Sequence, residues 1–214
     1  KSADALCTAP LSKHRTSLAI QGFVGHTEHL AARAGAKVAM MMAGPRLKVA
    51  LATNHVALSD VGARLTHDGL LGIIRLVHRE LTTRFALGAP RIAVLGLNPH
   101  AGDGGLFGHD EARVITPAIQ SAKAEGIAAS GPHPADGLYP QAVKGHFDAV
   151  VALYHDQGLI PAKLLDFEET VNVTLGLPYA RTSPDHGTAD TLAGQGKANA
   201  APMVSALLLA ARLA

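Results

Sequence analysis

The sequence predicts an α/β protein with a largely parallel but mixed sheet. Short apolar runs alternate with helix-like segments, the pattern left by strands joined through crossover helices. The apolar mass is aliphatic: 48% of the 214 residues are hydrophobic, 4% are aromatic and none is Trp, so the core is built from Ala, Leu, Val and Ile. Two neighbouring strand candidates are joined by a short loop holding Gly44 and Pro45. That spacing suits a hairpin, which makes the sheet mixed.

In chain order, strands are expected at residues 4–8, 37–42, 47–53, 91–97, 147–154 and 171–175, each an apolar run. Helices are expected at 11–21, 27–34, 67–85, 110–125 and 202–213. Thr27 is the expected N-cap of the second. In the third, Leu70, Ile74, Val77 and Leu81 recur at helical spacing with Leu71 beside them. No linker, internal repeat or low-complexity tract divides the chain. The helix at 67–85 is long enough to cross between two lobes.

Composition removes several classes of function. The chain is globular in composition, not disordered or collagen-like. No apolar run reaches the roughly 18 residues of a membrane span, so no membrane role is expected, and no signal-peptide pattern opens the chain. The single cysteine, Cys7, excludes an internal disulfide framework and favours a reducing, cytoplasmic setting. A net charge of +2 with scattered basic residues and few aromatics argues against nucleic acid.

Twelve histidines stand against 19 Lys plus Arg, and three of them sit at matching places. His55 follows the run Val-Ala-Leu-Ala-Thr53, His100 follows Ile92-Ala-Val-Leu-Gly-Leu97, and His155 follows Ala149-Val-Val-Ala-Leu-Tyr154. Each lies just past an expected strand. Open α/β sheets bind ligands beyond the carboxyl ends of their strands. Three neutral imidazoles suit Zn2+ or a similar divalent ion and leave a coordination position for substrate. Ordinary loop histidines are the competing reading. Spacing leaves open whether the three meet within one chain or across a dimer.

Other polar strings cluster around these. Asn98-Pro-His-Ala-Gly-Asp-Gly-Gly105 is the densest turn sequence, but Phe107 breaks any dinucleotide fingerprint. Tyr154-His-Asp-Gln-Gly158 offers Asp156 to orient a histidine or to move a proton; an Asx turn competes. Asn172 inside a strand needs partners for its amide, and Lys163 and Arg181 suit phosphate or carboxylate. Gly25-His-Thr-Glu28 is an anion-binding helix start or plain capping. Asp185-His-Gly-Thr-Ala189 and Ala193-Gly-Gln-Gly-Lys-Ala-Asn199 are small enough to lie against a flat ligand, or are simply a glycine-rich loop.

Taken in order with Gly131-Pro, Pro134-Ala-Asp136, Val171-Asn-Val-Thr-Leu-Gly-Leu-Pro178 and Arg181-Thr-Ser, these strings resemble the 4-hydroxythreonine-4-phosphate dehydrogenase family of pyridoxal phosphate biosynthesis. The resemblance runs over essentially the whole chain. It implies an isocitrate/isopropylmalate dehydrogenase-like α/β fold, with mixed sheets, helices on both faces and two lobes. Residues 20–90 would form a dimerisation and substrate lobe, and residues 1–19 with 91–214 the remainder of the cofactor lobe. Family members are longer, so about 110 residues are expected before Lys1 and the first lobe is expected to be incomplete.

The same resemblance implies a homodimer whose divalent metal (Zn2+, Mg2+, Mn2+ or Co2+) is held by His55, His100 and His155, one of them from the partner. It implies substrate contacts at His26, Thr27, Lys163, Asn172 and Arg181, and proton-handling or acidic positions at Lys163, Asp156 and Asp136. NAD or NADP would lie on His186, Gly187, Thr188 and Asn199. The implied reaction is oxidation of 4-phosphohydroxy-L-threonine at C3, then decarboxylation to 3-amino-2-oxopropyl phosphate. The alternatives are a related dehydrogenase of 4-phospho-D-threonate, 4-phospho-D-erythronate or an aromatic cis-dihydrodiol dicarboxylate, and a non-catalytic metal-bridged dimer.

Overall fold

The computed structural model describes residues 3–214, so the first two residues of the expected segment 1–19 lie outside it. Its strands are β1 (Ala5–Cys7), β2 (Ala39–Ala43), β3 (Lys48–Leu51), β4 (Ile92–Leu95), β5 (Ala129–His133), β6 (Ala149–Ala152), β7 (Val171–Leu175) and β8 (Ala180–Pro184). They form one mixed sheet in the order β1-β8-β7-β2-β3-β6-β4-β5. β3, β6, β4 and β5 are parallel. β2 is antiparallel to both β3 and β7, so the expected hairpin is present. β2 and β3, from the segment 20–90, occupy the middle of the sheet, with strands from 91–214 on either side.

The helices are α1 (Lys13–Ala19), α2 (His26–Ala34), α3 (Val61–Arg64), α4 (His67–Thr83), α5 (Thr116–Ala124), α6 (Ala135–Val143), α7 (His155–Asp166) and α8 (Ala201–Leu213). They cover both faces. On one face, Leu70, Ile74 and Leu81 of α4, Ile119 of α5 and Ala206 of α8 pack on Met41, Ala50, Val94, Val151 and Val173. On the other, Leu138 of α6 and Leu159 and Ala162 of α7 pack on Met42, Val49, Leu51, Leu95 and Val150. Strands buried on both sides read as continuous apolar runs, which is why β2, β3, β4 and β6 were visible in the sequence.

The structure adds elements that the apolar pattern does not announce. β5, Ala-Ser-Gly-Pro-His, is an edge strand, where Pro132 has no ladder bond to forfeit. β8, Ala-Arg-Thr-Ser-Pro, is polar yet fully buried. Its alternation turns Thr182 to α8, where the hydroxyl donates to the Ala206 carbonyl, and turns Arg181 to the opposite face. α6 and α7 contain Pro140 and Pro161. Pro161 leaves the carbonyl of Gln157 without its helical donor. The Tyr139 hydroxyl donates to that oxygen at 2.7 Å, and burial pushes the phenol pKa well up, so it stays a donor. The helix expected at 110–125 is a π-helical turn, Glu111–Ile115, followed by α5. Pro117 has no N–H for the Arg113 carbonyl, so the register opens there.

Candidate metal and anion site

The carboxyl ends of β3, β6 and β4 lie side by side, and each passes directly to one of the three histidines. The imidazoles of His55 and His155 come together, with ring centroids 5.6 Å apart. His155 opens α7, and its Nδ1 lies 2.8 Å from Asp156 Oδ1. A carboxylate on one ring nitrogen directs the other outward, the arrangement common in metal-ligating histidines. The Asx turn that competed for this string is absent: helix begins at once.

His100 does not join them. It sits in an exposed loop, its ring 6.1 Å from that of Phe107. Among the described residues no group of three or more His, Cys, Asp or Glu is placed to hold a metal ion. His55 and His155 are thus two imidazoles brought together, with no third potential ligand grouped with them among the described residues.

Below the pair a cleft of about 230 Å3 runs between α7 and the polar face of β7 and β8. His55 and His155 line it, as do His26, Thr27, Asn172 and Arg181. A second cavity of about 280 Å3 opens on the other side of His55 and His155, lined also by Asn54, Tyr154 and Asp156.

Arg181 is 3% exposed. Its Nη1 donates to the Thr174 hydroxyl at 3.0 Å and its Nη2 to the Thr8 hydroxyl at 2.6 Å. Among the described residues its Nε is buried without a partner, and so is Oδ1 of Asn172. Buried polar atoms in native proteins are nearly always paired, so these two in one cleft mark a place for a ligand. Burial lowers the Arg181 pKa from its ordinary value, yet a guanidinium stays charged.

α2 points its start into the same cleft. Thr27 is not the N-cap: Gly25 is, with extended backbone, and no side chain caps the helix. The Glu28 carboxylate folds back over this position, its Oε2 within 2.6 Å of where a Gly25 Cβ would lie. The first N–H groups of α2, with His26 and Thr27, are left for an anion. Burial, then Arg181 and His29, lower the His26 pKa from 6.5, favouring the neutral imidazole.

Asp185 lines the cleft, whereas Lys163 lies outside both cavities, in a shallow pocket along α7 with His155 and Asp156; its Nζ is 2.7 Å from Asp185 Oδ2. That ion pair ties α7 to the segment after β8. Asp136 is exposed at the start of α6 and accepts from the Gly137 N–H; it lines neither cavity. His186 lines the cleft, whereas Gly187 and Thr188 are exposed beyond it. Asn199 accepts the Ala201 N–H at the start of α8 and donates to Glu168. Sequence reasoning missed Thr8 and Thr174. Thr174 was detectable, because it shares a strand face with Asn172 two residues away; Thr8 meets Arg181 only through the pairing of β1 with β8.

A family profile described as "Pyridoxal phosphate biosynthetic protein PdxA" matches residues 1–210. The chain belongs to this family. A curated member, the 4-hydroxythreonine-4-phosphate dehydrogenase of Geobacter metallireducens, is 56% identical over 213 residues, covering 99% of this chain and 62% of its own length. The chain therefore spans under two thirds of the relative it matches. The solved 4-hydroxythreonine-4-phosphate dehydrogenase of Klebsiella pneumoniae superposes with a TM-score of 0.91 at 42% identity, over 99% of this chain and 65% of that one. The isocitrate dehydrogenase of Methylococcus capsulatus, 16% identical with a TM-score of 0.53 over 95% of this chain and 65% of that one, shares the fold alone.

Proposed function

We propose that this chain supplies the metal- and substrate-holding part of a 4-hydroxythreonine-4-phosphate dehydrogenase, which oxidises 4-phosphohydroxy-L-threonine at C3 and decarboxylates the product to 3-amino-2-oxopropyl phosphate. One observation carries the reading: the His55–His155 pair and the two unpartnered polar atoms of Arg181 and Asn172 line the same cleft in a member of this family.

Arg181, Thr27 and the free N–H groups of α2 hold the phosphate or carboxylate, with neutral His26 as a further donor. Asn172 Oδ1 accepts from a substrate hydroxyl or amine. His55 and His155 are two of three ligands for a divalent ion, and Asp156 fixes the tautomer of His155. Such an ion supplies Lewis acidity at the substrate hydroxyl and carbonyl. Asp156, or Lys163 held by Asp185, delivers or removes a proton at the substrate; neither Lys163 nor Asp136 lines the cleft, but Lys163 shares a pocket with His155 and Asp156 whereas Asp136 does not. His186, Gly187, Thr188 and Asn199 would hold NAD or NADP, which would supply the hydride acceptor for C3.

The third metal ligand is His100 of a second copy. Beside His100, Leu106 is 73% exposed and Phe107 46%. Along the outer side of α7, Ile160, Leu164 and Phe167 are exposed at helical spacing, next to His155. Two such apolar patches flanking the separated histidines fit a homodimer that brings His100 of one copy to the His55–His155 pair of the other.

The test follows NADH absorbance with 4-phosphohydroxy-L-threonine, NAD+ or NADP+ and Zn2+, Mg2+, Mn2+ or Co2+. Metal-dependent turnover, lost in His55→Ala, supports the reading. Turnover retained in His55→Ala removes the metal assignment. Preference for 4-phospho-D-threonate or an aromatic dihydrodiol replaces the substrate. Zinc-dependent dimerisation without turnover of any of them leaves a metal-bridged dimer.

A further inference from the structure

The loop that carries His100 is built against the ordinary preferences of L-residues. His100, Ala101 and Asp103 have φ of 52°, 52° and 41°, and Gly102, Gly104, Gly105 and Gly108 are also left-handed. Such a run is disfavoured for residues with a Cβ, so something must over-determine it.

Glu111 does so. It is 6% exposed, in the π-helical turn before α5. Its Oε1 accepts the backbone N–H groups of Leu97 and Asn98, each at 2.8 Å. Its Oε2 accepts from Asn98 Nδ2 at 3.0 Å, and the Asn98 carbonyl in turn accepts the Ala101 N–H. The glycines close in on this carboxylate. A Cβ on Gly102 would lie 2.7 Å from Glu111 Oε2, and a Cβ on Gly108 would lie 2.6 Å from Asn98 Nδ2. The two arms of the loop are thus drawn onto one buried carboxylate, and the His100 ring is turned out to solvent.

We propose that Glu111 is the positioning residue for His100: its carboxylate pre-sets the left-handed loop that displays this imidazole away from its own chain. Metal ligation by His100 rests on the function proposed above; the hold of Glu111 on the loop does not. A displayed, ordered ligand loses little freedom when it binds, so its affinity depends on the group that orders it.

The experiment compares the wild-type chain with Glu111→Gln, His100→Ala and the double variant. Amide exchange over residues 97–108 reads the loop, thermal melting reads the whole fold, and competition with a chromophoric chelator reads Zn2+ affinity. Glu111→Gln is expected to exchange faster in that loop with its melting little changed. It is expected to bind Zn2+ about 10-fold or more weakly, as loss of a supporting partner does. The double variant should bind no more weakly than His100→Ala alone. Unchanged loop exchange in Glu111→Gln overturns the proposal, as does weakening that adds fully to that of His100→Ala. Should Glu111→Gln fail to fold, Asn98→Ala removes the Oε2 partner, together with the bond from Asn98 Nδ2 to Asp110, while leaving the backbone bonds to Oε1, and is read the same way. If His100→Ala leaves Zn2+ affinity unchanged, the metal reading falls, and loop exchange still decides what Glu111 does.

Discussion

The imidazoles of His55 and His155 meet at 5.6 Å because β3 and β6 are parallel neighbours that end at the same level. His100 follows β4, the next strand, yet remains apart. If the third ligand comes from a second copy, mixing His155→Ala with His100→Ala restores Zn2+ sites that neither variant has alone, since one heterodimer site is intact. About a quarter of wild-type sites is expected from random pairing of such dimers. Absence of any recovery in the mixture, measured by Zn2+ stoichiometry, points to a site within one chain.

Arg181 owes its position to two threonine hydroxyls. Thr174→Val removes the acceptor at Nη1 and leaves a buried donor unpaired, at a cost of about 1–3 kcal/mol. Arg181→Lys keeps the charge and loses the fork, so affinity for inorganic phosphate should fall about 10-fold or more. Thermal melting checks the first and calorimetric titration with phosphate the second. Wild-type affinity in Arg181→Lys would remove Arg181 from the anion site.

Gly158 packs α7 closely against the sheet. A Cβ there would sit 2.7 Å from Leu51 Cδ2 and 2.9 Å from Val49 Cγ1. Gly158→Ala should therefore cost about 1–3 kcal/mol of stability by overpacking, lowering Tm by about 2–4 °C for each kcal/mol. Because His155 lies one helical turn earlier, Zn2+ affinity should drop as well. An unchanged Tm would show that α7 shifts freely on the sheet.

Burial depresses the pKa values of His26 and His133 from 6.5. The unfolded chain thus takes up protons before the folded chain does as pH falls. Stability from these two groups is complete above 6.5 and is lost as pH drops from there through the folded values. NMR titration of the His26 ring should give a value under 6.5 in the free chain, rising when inorganic phosphate binds beside it. A free-chain value at or above 6.5 would contradict its burial against Arg181.

Much of the architecture was legible because its causes are local. β2, β3, β4 and β6 are buried on both faces, and uninterrupted apolar runs are what such burial requires. α4 shows itself through Leu70, Ile74, Val77 and Leu81. β8 and α7 were hidden for the opposite reason. Arg181 and Ser183 are buried in a strand held between the preceding strand β7 and the distant β1, and α7 opens on polar residues and carries Pro161. No local pattern reports that a distant tyrosine relieves that proline.

Residue order alone placed His55, His155 and His100 just past three strands, since each apolar run ends where its histidine begins. It also placed Asn172 and Arg181 among candidates for polar chemistry. Tertiary structure decided which of them meet. Strand order put β6 between β3 and β4, the register of β7 on β8 set Thr174 beside Arg181, and the Glu111 carboxylate turned His100 outward. The β3–β6 and β6–β4 pairings join residues far apart in sequence, the others are shorter in range, and in every case the energy appears only once the chain has folded and the surrounding water has been excluded.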